Sequence, residues 1–533
     1  MNIRLTMAGV FALATCAASA QNRMIAYGWD VLRTGPENIL ANAAAWEDVP
    51  LDGVVFSLNA KAPDGTTTFM HRHVTTDRGW TYEAFAPQVA AMRQLVAKRP
   101  FAHSMAGALF QYAKKSRLDW TDDAAWANFA NNMGVVARIV REAGLEGICI
   151  DNEDYGKIRQ FYRKDGEPPY AELRQLARRR GREVFEPVFR EKPDIALLAF
   201  WFLSYDAEYL TASDLMAKET ELEDLWPAFI EGMLEVMPVT ATFHDGNEKA
   251  YYYRADSGDY YRSAVRIQSK FAALLEPAYR DRYRARVRAS AGFYMDNYVQ
   301  KDPKNYHYLP PTEGGTQTDR FADNLAQADD ASEGYLWFYG EHHPWIDWQG
   351  AGDQAWRHAP TWDDAMPGLY DIFRARKDPL GFAKARSAAL DRAGTPSLPL
   401  KLDQWQHKKD TGRIRADKQV GRAGSGAFRL EDVKRGCKIA YVKDVPQGRT
   451  CLIRAYAKGG RPSGTVYYTQ DCAWRFPLGR AEMTFETTPD ADGWSVGYAV
   501  VTVPPGADGF GVQFGGVGDG TIWYDGIGVY SLR

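Results

Sequence analysis

Between residue 24 and about residue 390, short apolar runs alternate with longer stretches in which apolar positions recur every three or four residues. The short runs predict strands at Met24–Trp29, Asp52–Leu58, Phe101–Met105, Gly147–Ile150, Ile195–Phe202, Val236–Phe243, Ala289–Met295 and Gly334–Tyr339. The longer stretches predict helices at Tyr82–Lys98, at Asp122–Ala143 with Thr121 as its cap, and at Tyr170–Glu191, Leu222–Glu235 and Tyr261–Arg286. Eight strand–helix alternations over this length are what a (β/α)8 TIM barrel requires, some of its loops being enlarged. A doubly wound open sheet would place a Gly-rich turn after its first strand. The chain there reads Asp30-Val31-Leu32-Arg33, so the barrel is favoured.

The pattern changes after Ala393. Gly394-Thr395-Pro396-Ser397-Leu398-Pro399 opens a linker assigned to 394–404, and 405–533 carries short strand-like runs broken by Gly and Pro. Thr450–Ala457, Gly464–Tyr468, Ser495–Val503 and Gly520–Tyr524 are among them, the pattern of an all-β, jelly-roll-like sandwich. The barrel then occupies 21–393. Residues 1–20 read as a signal peptide: Arg4 is the positive flank, Leu5 to Thr15 are mostly apolar, and Ala18-Ser19-Ala20 is a small-x-small cleavage site. Leu13-Ala14-Thr15-Cys16 is a poor lipoprotein site because Thr15 is bulky beside the Cys. No later apolar run approaches the ~18 residues of a membrane span. The expectation is a secreted or periplasmic protein without a membrane span.

Composition adds exclusions. The 533 residues carry a net charge of −3, which offers no electrostatic case for nucleic acid. Arg178-Arg179-Arg180-Gly181-Arg182 and Arg280–Arg288 lie in helical stretches with interleaved Glu, Asp or Tyr and read as solvated outer faces. Cys149 lies in a strand pattern and reads as a buried small hydrophobe, and one pair among Cys437, Cys451 and Cys472 is open to bridging. Neither a Cys-x-x-Cys site, a Gly-x-Ser-x-Gly elbow nor a phosphate-cradling loop is present, so no cofactor or metal is expected. Aromatic residues make up 13%, with 16 Trp and 29 Tyr, which suits sugar-stacking surfaces as well as a large core.

In a barrel the chemistry belongs at the C-terminal strand ends. There the chain offers Trp29-Asp30, then Asp151-Asn152-Glu153-Asp154-Tyr155, then His244-Asp245-Gly246-Asn247-Glu248, then Asp296-Asn297-Tyr298, then Trp337-Phe338-Tyr339-Gly340-Glu341. Period-two alternation sends Asp151 and Glu153 to one side, and carboxyls held that close separate their pKa values. Glycoside hydrolysis needs such a protonated acid on the leaving oxygen and a second carboxylate at the sugar carbon. Asp151 and Glu153 are the candidate catalytic pair. The second carboxylate is Asp245, Glu248, Asp296 or Glu341, although Asp245-Gly246 also reads as a plain β-turn. Trp29, Asp30, Tyr155, Tyr298, Trp337, Tyr339 and Trp345 are candidate substrate contacts, with Tyr251-Tyr252-Tyr253 lining a sugar subsite and Trp348 as a further platform.

Glu146-Gly147-Ile148-Cys149-Ile150-Asp151-Asn152-Glu153 resembles the fourth-strand signature of the chitinase-like family 18 glycoside hydrolases. That resemblance implies Glu153 as acid/base and Asp151 as its assisting carboxylate. It departs from the pattern at Glu146, Cys149 and Asn152. Asn152-Glu153 is similar as well to the Asn-Glu pair of the large retaining clan of barrel glycosidases, whose seventh-strand Glu is here Asp296. The closing run Thr521-Ile522-Trp523-Tyr524-Asp525-Gly526-Ile527-Gly528-Val529-Tyr530 resembles the last strands of jelly-roll carbohydrate-binding modules. Trp405, Trp474, Trp494 and Trp523 are then candidate platforms, and a domain that only buttresses the barrel is the alternative.

The expected function is a secreted glycoside hydrolase whose partner is a polysaccharide or glycan. Two alternatives stand beside it. One is a non-catalytic glycan-binding protein on a barrel scaffold. The other is a metal-dependent hydrolase using His71, His73, His103, His244 and Asp296 or Asp245, in which the His-x-His pair falls after the second strand rather than the first.

Overall fold

The computed structural model describes residues 22–532 apart from 62–66, 70–73, 77, 111–116, 154–157, 205–206, 313–314, 350–357, 396, 399–412, 423–425, 432–437, 444, 446–448, 471–472, 475–477, 505 and 518–519. The predicted signal peptide, Tyr155, His71, His73, Cys437, Cys472 and Trp405 lie outside the described residues.

Strands β1 (Arg23–Gly28), β2 (Gly53–Phe56), β3 (Met105–Leu109), β4 (Gly147–Asp151), β5 (Ala196–Ala199) and β6 (Thr242–Asp245) pair in sequence order, all parallel. Strand β7 is broken at Ser290: Val287–Ala289 pairs with β6, and Ala291–Tyr294 pairs with β8 (Tyr335–Gly340). Strand β8 then runs parallel to β1, from Arg23 opposite Tyr335 to Gly28 opposite Gly340, which closes the barrel. The (β/α)8 expectation is met, with the seventh strand in two pieces.

Helices α1 (Ala86–Val96), α2 (Asp123–Ala143), α3 (Tyr170–Glu191), α4 (Trp226–Val236), α5 (Asp259–Gln268), α6 (Pro277–Arg286), α7 (Gln317–Ala331), α8 (Leu369–Lys377) and α9 (Pro379–Arg392) form the outer layer, with shorter turns between. Several boundaries differ from the sequence reading. The α2 cap is Asp122, whose carboxylate accepts the Ala125 N–H at 3.0 Å, rather than Thr121. The predicted helix 261–286 is two, because Pro277 lacks the N–H a continuing helix needs and starts α6 instead. Val236 ends α4, so β6 begins only at Thr242. Phe101 ends a 3-10 turn, and the third strand starts at Met105.

Alternation along the strands sorts side chains into two cores. Met24, Ala26, Val54, Phe56, Ile148, Ile150, Leu197, Ala199 and Phe243 face the helices. Ile25, Tyr27, Val55, Met105, Cys149, Leu198, Tyr335 and Trp337 fill the barrel interior, with Phe200, Tyr251 and Tyr294 above. The predicted burial of Cys149 holds. Trp337 stacks on Phe200 at 4.6 Å with 10° between planes, and fits only because Gly292 has no side chain. A Cβ there would lie 2.6 Å from Trp337 Cζ2 and 2.9 Å from Tyr251 Cε1.

The Arg-rich face of α3 is not simply solvated. Arg174 and Arg178 both pair with the fully buried Glu231 on α4, and Arg174 with the buried Glu219 as well. Arg180, itself buried, donates to the Trp120 carbonyl and to Asp123. These guanidiniums fasten α3 to α4 and to the start of α2.

Among the described residues, eleven antiparallel strands follow α9: β9 (Arg413–Asp417), β10 (Ala427–Glu431), β11 (Lys438–Lys443), β12 (Thr450–Lys458), β13 (Pro462–Gln470), β14 (Ala473–Trp474), β15 (Arg480–Glu482), β16 (Thr484–Phe485), β17 (Trp494–Thr502), β18 (Gly509–Gly516) and β19 (Ile522–Ser531). One sheet orders them β9-β10-β19-β12-β17-β16, and the other β11-β18-β13-β14 with β15 on β13. The core between the sheets holds Leu430, Ile453, Val501, Phe510, Val512, Phe514 and Tyr524. Outward residues of the first sheet, Leu452, Val496, Tyr498 and Tyr530, pack on Ala383 and Leu390 of α9. Arg454 crosses the same joint to Ser387 and Asp391 at 2.7 and 2.6 Å, and donates to the Tyr530 hydroxyl on its own sheet at 2.8 Å. Cys451 is a buried free thiol on β12. No helix among the described residues is long and apolar enough to cross a membrane.

Candidate active site

The C-terminal barrel mouth collects carboxyls from four strand ends. Asp151 closes β4 with the inward parity of Cys149 and accepts the Tyr27 hydroxyl at 3.2 Å. Its other oxygen accepts the Glu153 N–H at 3.2 Å, which turns the chain so that Glu153 stays at the mouth.

From β6 the chain stays hydrogen-bonded to the end of β5, Gly246 N donating to Ala199 O and Glu248 N to Phe200 O. Asn247, at φ 47°, makes the left-handed step that starts a 3-10 turn over Glu248–Tyr252. Three-fold spacing in such a turn puts Glu248 and Tyr251 on one face. That face carries the Glu248 carboxyl to the Glu153 carboxyl, with which it hydrogen-bonds. Burial, then the Glu153 and Asp151 charges, push Glu248 up to about 9. The pair therefore holds a proton at neutral pH.

Tyr27, Tyr251 and Tyr339 line this pair, and burial chiefly, with the surrounding carboxylates, pushes each phenol up, so all three are neutral donors. Tyr339 bridges the two sides of the mouth. Its hydroxyl donates to Glu341 at 2.8 Å while the Glu153 charge also acts on it. Beside it, Asp296 accepts the Glu341 N–H at 2.8 Å and pairs with His342 Nδ1 at 2.6 Å. Asp151, Glu153, Glu248, Glu341 and Asp296 thus share one rim.

Other predicted residues lie elsewhere. Asp245 is 0% exposed, because the inward position on β6 is His244 and the next residue must face away. Its carboxylate accepts from Leu203 N, Ser204 Oγ and Asn247 N at 2.9, 2.5 and 3.1 Å, which makes it a loop anchor. Asp30 is buried too and holds the loop after β8 by accepting the Trp345 N–H at 2.8 Å; burial pushes it up to about 7. Trp345, 1% exposed, and Trp348 are core residues under that loop rather than platforms. Tyr298 is likewise core, its hydroxyl accepting from Asn324 at 2.9 Å. Trp337 is the fully buried floor of the mouth and donates to Gly246 O at 2.8 Å. Trp29 is half-buried beneath the Arg33 guanidinium, 3.8 Å from the ring centre.

The sequence reading missed Tyr27, Phe200, Tyr294 and the aromatic loop residues Tyr306 and His307. Period-two counting from Ile25 would have turned Tyr27 inward, whereas the 3-10 turn and the loop carry no periodic signal. The metal constellation is dispersed in its described members. His103 bonds Glu146 at 2.7 Å below the barrel, ahead of β3, and His244 faces Tyr335 at the start of β8. Among the described residues, no group of three His, Cys, Asp or Glu is placed to hold a metal ion. In the sandwich, Trp494 is core and Trp523 is half-buried with its indole bonded to Asp417 at 2.9 Å.

No protein-family model and no curated protein matches this chain. Solved structures do match at low similarity. A GH5_18 protein from Streptomyces cattleya in complex with GlcNAc is 12% identical with a TM-score of 0.36, over 68% of this chain and 82% of that one. A family 16 carbohydrate-binding module is 18% identical with a TM-score of 0.19, over 24% of this chain and 92% of the module. The enzymatically active domain of tailspike protein 4 from bacteriophage CBA120 is 15% identical with a TM-score of 0.21, over 25% of this chain, which spans 20% of that chain. Sugar epimerases are among the matched barrels.

Proposed function

We propose that this chain is an exported glycoside hydrolase acting on a polysaccharide or complex glycan. The observation that carries the reading is the hydrogen-bonded Glu153–Glu248 pair at the C-terminal mouth, which keeps a proton to pH values where an isolated carboxyl has lost it. The pair delivers that proton to the glycosidic oxygen as the C–O bond breaks. Glu341, on the far side of Tyr339, is the second carboxylate that stabilises the electron-poor sugar carbon until water adds. Asp151, itself held by the neutral Tyr27 hydroxyl, fixes the Glu153 backbone, and Asp296 fixes the Glu341 backbone. Export rests on the Arg4, apolar and Ala18-Ser19-Ala20 pattern.

The test is a polysaccharide and glycan panel with the wild-type chain, followed by Glu153→Gln and Glu248→Gln on whatever is cleaved. Each substitution is expected to lower kcat by about 10²–10⁴ while binding persists. A wild type that binds glycans and cleaves none would make the protein a glycan-binding barrel instead.

A further inference from the structure

Beyond the carboxyl pair the rim carries a second feature. Tyr306 is 77% exposed and Tyr252 46% exposed, in a protein that buries most of its aromatics. Both rings meet His307, Tyr306 at 3.7 Å between centres and Tyr252 at 6.3 Å with 18° between planes. Tyr294 meets His307 edge-on at 4.9 Å, and lies 5.4 Å from Tyr339. The patch is therefore continuous with the cleft. Tyr252 ends the 3-10 turn that Glu248 begins and its phenol feels both that carboxyl and Tyr306, while the Asp296 and Glu341 charges act on His307.

The loop that bears it is held in place. Asp302 accepts the Lys304 N–H and Asn305 the His307 N–H, both at 2.9 Å. Leu309 N donates to Asn297 O, and Gln317 on α7 donates to the carbonyls of Gln300 and Leu309. Flat rings fixed in water beside carboxylates match a pyranose, which offers an apolar C–H face and a rim of hydroxyls.

We propose that Tyr252, Tyr306 and His307 form an aromatic subsite that stacks a sugar ring of the substrate chain remote from the bond being cleaved. This rests on the glycan-active reading of the site, and it makes the substrate an oligomer long enough to reach from Glu153 to Tyr306. The experiment uses the full-length chain carrying Glu153→Gln, titrated calorimetrically with oligosaccharides of glucose, xylose, mannose and N-acetylglucosamine from two to six units long. Affinity is expected to climb with length in at least one series. Tyr306→Ala is expected to remove about tenfold of it for the longest member and nothing for the shortest. Tyr306→Phe, which keeps the ring, should retain the full affinity and so separates stacking from a folding defect. Equal binding of long and short members by Tyr306→Ala and its parent would overturn the subsite alone, as expected of a patch that docks protein. Failure of every oligosaccharide to bind would overturn the carbohydrate reading with it, whereas binding without cleavage by wild type would leave the subsite standing and remove only the hydrolase.

Discussion

Glu248 is held at the barrel mouth at a cost in stability. In the unfolded chain its carboxyl ionises near 4.5, whereas in the fold it keeps its proton up to about 9. Between those values the native state binds the extra proton, so its contribution is fully present below pH 4.5 and is lost as pH rises toward 9. Glu248→Gln, neutral throughout, should therefore raise Tm at pH 8 and leave it unchanged at pH 4, even as it lowers turnover. A Tm unchanged at pH 8 would show that Glu248 ionises freely in the fold. The same proton sets the alkaline limb of kcat, with activity falling as pH climbs through about 9. Asp151→Asn removes one of the charges that hold the pKa up, and should move that limb down by up to about one pH unit. It should not move it to 4.5, because burial is the larger cause. Asp151 and Glu153 were legible in the sequence because strand alternation runs straight into them. The Glu248 position was legible only as one of four options, since its direction depends on Asn247 entering the left-handed region, which no period encodes.

Elements carry the next level of constraint, and strand β6 shows how a one-residue parity decides a role. His244 faces the barrel interior, so Asp245 faces Leu203 and Ser204 and anchors their loop. Asp245→Ala strands two buried N–H groups and a hydroxyl, and a loss of ~3 kcal/mol or more is expected. The urea midpoint should fall at constant slope, which would separate lost stability from a changed denatured state. Gly292 on β7 is a second such position. A methyl group there meets Trp337 and Tyr251 together, so Gly292→Ala should cost about 1–3 kcal/mol and displace the floor under Glu248. The eight alternations were readable because barrel strands and helices differ in period. The break at Ser290 was not, since both halves of β7 keep the same inward parity and differ only in which neighbour they pair with.

At the scale of the whole molecule, α9 belongs to two cores at once. One face completes the barrel against α8, and the other, through Ala383 and Leu390, receives Leu452, Val496, Tyr498 and Tyr530 of the sandwich. A sequence reading places a linker after Ala393 and leaves open whether the sandwich buttresses the barrel, because an outward row such as Leu452, Arg454 and Tyr456 reads as an ordinary half-polar strand face. Arg454 is the polar centre of the joint, largely buried with its guanidinium spread over Ser387, Asp391 and Tyr530. If the joint couples the domains, wild type should melt in one calorimetric transition. Arg454→Ala removes charge-assisted hydrogen bonds and packing together, an expected loss of about 1–3 kcal/mol, concentrated where the cores meet. The sandwich should then melt ahead of the barrel, as a separate peak. Lys384→Ala serves as the control: its 2.7 Å pair with Glu486 spans the same joint with the lysine exposed, and its loss should change stability by no more than about 0.5 kcal/mol. Two peaks in wild type would show instead that the sandwich folds alone, and would return α9 to the barrel.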